Sequence, residues 1–174
     1  MPKKPRKTLG DVNAPTCVTF RELIDTQSKD TIRKWCLDYA RDKMLPLFEK
    51  HYPGDDRPRN AINAAYDYID GKVKFPAVKS IILSECHAAA RELEDNPVAQ
   101  AAARAVGQGT SVVHALTHSL GLYFYAVAAV AYDRIGINAS EEEYAAISEE
   151  ICLDYTMSLQ NICYVHGDLP QART

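Results

Sequence analysis

The chain predicts an all-α, single-domain helical bundle of about six or seven helices. Three observations carry that expectation. Apolar residues recur at three- and four-residue steps along most of the 174 residues, and no stretch alternates apolar and polar residues as a half-buried strand would. Helix-start signals, an Asp, Asn or Ser close to a proline or a glutamate, return at intervals. The connections between the helices are short, which favours neighbouring antiparallel helices. A hydrophobic content of 47% with 25% charged residues is ample for one core.

Each element can be justified in turn. Thr19-Phe-Arg-Glu22 has capping-box spacing and opens a short helix to about Thr26. The next helix starts near Ser28 to Asp30 and runs to His51. Its apolar side is Ile32, Trp35, Cys36, Tyr39, Met44, Leu47 and Phe48, and Pro46 predicts a kink or short break. Asp55-Asp56-Arg57-Pro58 reads as a third start, and that helix carries Ile62, Ala65, Tyr66 and Ile69 before stopping at Gly71. Pro76 opens a fourth, with Val78, Ile81, Ile82, Cys86, Ala89 and Leu93 facing the core.

Asn96-Pro97 begins a helix that continues into an uncharged stretch, Ala105 to Tyr132, and ends at Gly136 and Asn138. Gly107, Gly109 and Gly121 each weaken it by about 1 kcal/mol relative to alanine. They predict either a break near one of them or the close approach of a neighbouring helix. A second capping box, Ser140-Glu-Glu-Glu143, opens the last helix through Tyr144, Ile147, Ile151, Tyr155 and Ile162 to about Tyr164. The helical domain so delimited is 11–166. A disordered basic arm over 1–10 (Lys3, Lys4, Arg6 and Lys7 around Pro5) and a disordered tail over 167–174 are expected to flank it.

Bulk properties exclude several function classes. A net charge of −3 gives no global attraction to nucleic acid. No apolar run follows the basic start, so no secretory signal is expected. The uncharged stretch is long enough to span a bilayer, but Gln108, Thr110, Ser111, His114, Thr117 and His118 interrupt it, which points to a buried helix instead. Five widely spaced cysteines (Cys17, Cys36, Cys86, Cys152, Cys163) without a CxxC pair fit a reduced, cytoplasmic setting. No GxSxG, P-loop or HExxH occurs.

Chemistry concentrates on the uncharged stretch. At about 100° per residue, Arg104, Gly107, Ser111, His114, His118, Gly121 and Tyr125 share one stripe of a continuous helix. Ser80, Ser84, His87 and Arg91 share a face of the helix from Pro76 and could meet that stripe. Asp55, Asp56, Arg57 and Arg59 form a third group, whose carboxylates could pair with Arg91 or Arg104. The polar cluster expected is therefore Asp55, Asp56, Arg57, Arg59, Arg91, Arg104, Gln108 and Ser111.

Three readings compete for it. In one, His87, His114 and His118 are neutral core residues and the Arg–Asp pairs staple helices together. In a second, the cleft is a small-anion-binding module anchored by planar guanidinium groups. In a third, His87, His114 and His118 ligate a divalent metal in a helical-bundle enzyme. The acidic last helix (Glu141, Glu142, Glu143, Glu149, Glu150, Asp154) reads as a solvated face that could also meet a basic protein surface.

Several of these runs occur together in a known family. They are Ile32-Arg-Lys-Trp-Cys-Leu-Asp-Tyr-Ala, Leu45-Pro-Leu-Phe-Glu49, Tyr52-Pro-Gly-Asp-Asp-Arg-Pro-Arg59, Glu85-Cys-His-Ala-Ala-Ala-Arg-Glu92, Ala101-Ala-Ala-Arg-Ala-Val-Gly-Gln108, the His114-Ala-Leu-Thr-His118-Ser run and Tyr132-Asp-Arg. Over roughly residues 8 to 165 the chain resembles the putative immunity protein family of polymorphic-toxin type systems. The resemblance implies a small helical protein that neutralises a cognate protein toxin by binding it; with the charge, cysteine usage and polar interruptions above, the expectation is a cytoplasmic, non-catalytic protein without cofactor, nucleic acid or membrane. A homodimer is compatible with such a role.

Overall fold

Prolines and side-chain caps set the helix starts. The computed structural model describes residues 4–166, with side chains through Ile162. Among these residues there are seven continuous helices and no strand. Helix α1 (Pro15–Asp25) has its proline in the first turn, where no amide hydrogen is needed. It therefore begins four residues before Thr19, and the expected capping box lies inside the helix. Helix α2 covers residues 29–51, with the Ser28 hydroxyl accepting from the Thr31 amide at 3.1 Å. Helix α3 is Arg57–Ile69, α4 covers residues 75–92, α5 is Pro97–Ser111, α6 is His118–Ile135 and α7 is Glu141–His166. The Ser140–Glu143 box at the start of α7 forms both reciprocal bonds, at 2.8 and 3.2 Å.

Both composite helices contain a π turn, where the backbone bonds skip to the fifth residue. In α2 the turn is Ala40–Met44, immediately ahead of Pro46. The proline ring would clash with a carbonyl one α-turn earlier; the wider turn lets the helix run on through it, so no break occurs. In α4 the π turn is Ile82–Cys86, immediately ahead of His87. The extra residue rotates the C-terminal half of the helix relative to its N-terminal half. Ser80 and Ser84 consequently point to solvent instead of sharing a face with His87 and Arg91.

The long helix expected across the uncharged stretch is in fact a hairpin. Helix α5 stops at Ser111, α6 starts at His118, and residues 112–117 turn the chain back. The break falls at no glycine. Instead, Gly109 sits where α2 crosses: a Cβ there would lie 2.7 Å from the Ala40 methyl and 3.2 Å from the Cys36 carbonyl. Nearly all of α5 is buried, so it forms the spine on which α2, α3, α4 and α6 pack.

The core proper is rich in aromatic rings. Phe20, Trp35, Tyr39, Tyr123 and Tyr155 from α1, α2, α6 and α7 pack with ring centroids 4.4 to 6.5 Å apart. Their polar tips are satisfied: the Trp35 indole donates to Ser158, Tyr155 to the Ser119 carbonyl and Tyr39 to Asp154. Asn96 ties two helix ends together. Its Oδ1 caps α5 by accepting from the Ala99 amide, and its Nδ2 donates to the last carbonyl of α2, that of His51, at 3.0 Å. Gln100 does the same for α4, donating to the Ala90 carbonyl at 2.8 Å.

The described part of the expected basic arm is tethered. Leu9 is buried, its amide donates to the Phe124 carbonyl, the Tyr132 hydroxyl donates to the Arg6 carbonyl, and Arg6 pairs with Glu141 at 3.0 Å. Lys3 and the expected tail over 167–174 lie outside the described residues. Cys17, Cys36, Cys86 and Cys152 are free, buried thiols; the Cys163 side chain lies outside the described residues. No described helix is long and apolar enough to cross a membrane.

Candidate functional site

Three helices contribute to one surface cleft of about 190 Å³, lined by His87, Ala90, Arg91, Arg104, Gln108 and Tyr125. The polar lining pairs fall at helical spacing: His87 with Arg91 on α4, and Arg104 with Gln108 on α5. Tyr125 comes from α6, because the hairpin folds α6 back onto α5. The polar stripe expected along one helix is thus closed on itself, its two halves facing each other across the hairpin.

Close approach makes the cleft narrow. A Cβ at Gly107 would stand 2.9 Å from Cε1 of His87 and 3.6 Å from the Cys86 sulfur, so an alanine there would push the His87 ring aside. The Cys86 thiol donates to the Ala103 carbonyl at 3.0 Å and pins that contact. Gly121 in α6 makes room for the Gln108 amide. The Gln108 Oε1 is engaged by Nδ1 of His118 at 2.8 Å, which leaves the Gln108 NH₂ as a donor. The Arg104 guanidinium carbon lies 6.0 Å from the Tyr125 ring centroid, at the outer limit of a cation–π contact.

The cleft is electropositive. Its lining holds two guanidinium groups and no carboxylate. Glu92, next to Arg91 in the chain, is turned away to Arg57 at 2.9 Å. Burial, followed by the Arg91 charge, pushes the His87 imidazole below its ordinary value of 6.5. Burial, the His114 ring and then His87 do the same to His118, and burial and then Lys79 to His114.

The expected cluster divides accordingly. Arg91, Arg104, Gln108 and His87 come together. Asp55 and Arg57 instead clasp each other in a bidentate pair of 2.7 to 3.1 Å, with the guanidinium holding the Asp55 carboxyl below its usual range. Arg57 is two residues from Asp55, so this pairing orders little chain and prevails over pairing with Arg91 or Arg104. Arg59 pairs with Glu49. Asp56 is exposed at the start of α3, without a side-chain cap bond. Ser111 is buried and bonds back to the Gly107 carbonyl at 2.7 Å, away from the cleft.

His114 is exposed in the hairpin turn, its ring 5.3 Å from Phe75 and 5.0 Å from His118. Among the described residues no three His, Cys, Asp or Glu side chains meet as a metal site requires. No three-ligand group is found at His87, His114 and His118, although the rings of His114 and His118 lie 5.0 Å apart. Tyr125 was legible only as a stripe position; its place over Arg104 depends on the hairpin.

A larger groove of about 410 Å³ runs between residues 6–16 and α7. Its polar groups are mostly satisfied, Arg6 by Glu141 and Ser148 by Tyr123. Helix α7 itself presents a continuous outward stripe: Glu142, Ala146, Glu149, Leu153 and Met157 are exposed, the last two at 50% and 60%.

Comparison with known proteins adds one match. A family model described as Imm-5 like putative immunity protein matches residues 22–156. No curated protein and no solved structure matches the chain.

Proposed function

The chain belongs to the Imm-5 like putative immunity protein family, and from that premise we propose that it binds and neutralises a protein toxin without catalysing a reaction. The observation that carries the reading is the family match, which spans every helix from within α1 to well into α7. The outward stripe of α7 supports it physically. Leu153 and Met157 lie one turn apart with half or more of their surface in water, and Glu142 and Glu149 continue the same stripe. Exposed apolar anchors beside charges are the pattern of a protein interface. Burying each anchor would contribute about 1–2 kcal/mol. The carboxylates would steer a basic partner and set the association rate more than the affinity.

The test is co-purification and titration with any secreted toxin whose gene is found to neighbour this chain's. A one-to-one complex that suppresses the toxin is expected. Met157→Asp with Leu153→Asp should weaken the complex at least tenfold while leaving the melting temperature in place, since both side chains already face water. Glu142→Lys with Glu149→Lys should slow association. Undiminished binding by the aspartate variant would remove the α7 stripe from the reading. Failure of the native chain to bind or suppress that toxin would remove the reading itself. Size-exclusion of the chain alone shows whether the stripe instead pairs two copies.

A further inference from the structure

We propose that the cleft between α4, α5 and α6 is a binding site for a compact oxyanion, with Arg91 and Arg104 as its anchors and His87, Gln108 and Tyr125 as its polar walls. This site shares no residue with the α7 stripe, and it stands whether or not the toxin reading does.

The first support is the unusual state of the two arginines. Arg6, Arg33, Arg41, Arg57, Arg59 and Arg134 each grip a carboxylate. Among the described residues Arg91 and Arg104 have no such partner. Arg21 has none either, but it lies exposed on α1 beside no second guanidinium in its groove. Two like charges brought to one small cleft repel, and an anion between them would reverse the sign of that interaction.

The second support is the chemistry of the walls. The guanidinium fork matches the two oxygens of a carboxylate or phosphate. Gln108 keeps its amide donor because His118 occupies its oxygen. His87 has no hydrogen-bond partner among the described residues, and burial, followed by the Arg91 charge, disfavours its protonation. The His87 ring lies against α5 at Gly107, where an added Cβ would stand 2.9 Å from its Cε1.

Size restricts the ligand. Pockets for drug-sized molecules run from about 300 Å³ upward, whereas this cleft is about 190 Å³. It suits an ion of a few heavy atoms, or the charged end of a larger molecule: inorganic phosphate and a short dicarboxylate share the required chemistry.

Isothermal titration of the full chain with potassium phosphate and, separately, with sodium succinate at constant ionic strength tests the site. Saturable binding with a Kd of about 1 mM or tighter is expected for one of the two, and the better one names the class as phosphate or organic acid. Arg104→Gln and Arg91→Gln should each weaken it about tenfold or more. Arg21→Gln should leave it unchanged. Arg91 lies exposed near the end of α4, so its variant keeps the test valid if Arg104→Gln fails to fold. Absence of saturable binding by both anions overturns the proposal, as does binding that survives the loss of Arg91.

Discussion

Gly109 and Gly121 are both tight glycines, yet substitution at the two should have different consequences. At Gly109 a new methyl would press on the Ala40 Cβ at 2.7 Å and on the Cys36 carbonyl. Neither can rotate away, so α2 and α5 must separate. That overpacking costs about 1–3 kcal/mol, against about 1 kcal/mol gained in helix propensity. At Gly121 the methyl meets only the flexible Gln108 amide, which can swing aside. The loss is one hydrogen bond to His118, about 1 kcal/mol, and the propensity gain offsets it. Gly109→Ala is therefore expected to lower the urea midpoint, and Gly121→Ala to leave it nearly in place. Equal midpoints for the two variants would contradict this account of the packing.

At the scale of helices, the ends matter more than the middles. Asn96 is a cap for α5 and a donor to the last carbonyl of α2 at once. Asn96→Ala removes the cap, worth about 1 kcal/mol, and leaves the His51 carbonyl without this donor. A total of about 1.5–3 kcal/mol is expected in equilibrium unfolding. Asn96→Asp keeps the acceptor and loses only the donor, so it should recover part of the loss. A full recovery would mean that the bond to His51 contributes nothing.

The π turns belong to the same scale, and one of them was visible in advance. On α2 the buried positions Tyr39, Ala40 and Met44 keep ordinary spacing, and Pro46 alone marks the place. A kink or short break was expected there, but an inserted residue absorbs the irregularity. The π turn in α4 left no comparable trace, since Val78, Ile82, Cys86 and Ala89 keep ordinary spacing. The expectation that Ser80 and Ser84 would join His87 failed for that reason.

For the molecule as a whole, acid should act in two stages. His87 and His118 have folded-state values below 6.5 because burial and neighbouring positive charge oppose protonation. The unfolded chain takes up those protons first, so stability is full above about pH 7 and falls as pH drops through 6.5 toward the folded values. Asp42, Asp55 and Asp133 have values lowered from 3.8 by Arg41, Arg57 and Lys50 respectively. Their contribution is full above 3.8 and is lost below it. Urea midpoints measured across pH should show both falls. His87→Gln with His118→Gln should flatten the upper one and spare the lower; an unchanged upper fall would show that other groups govern it.

Helix class, most helix starts and most of the core are set by the residue order alone, because periodicity and capping act within a few residues of the chain. The same locality is why Ser28, Asn96 and Ser140 could be read as caps. Contacts between segments are another matter. His114 and His118 were expected side by side on one helix, and they are neighbours, but across a turn that sends one of them to solvent. Asp55 was expected near Arg91 or Arg104 and instead takes the guanidinium two residues away. That Arg91, Arg104 and Tyr125 share a cleft depends on where α5 reverses and how closely Gly107 lets α4 approach. Those are properties of packing between helices far apart in the chain, where a shift of one residue in a turn re-aims every side chain beyond it.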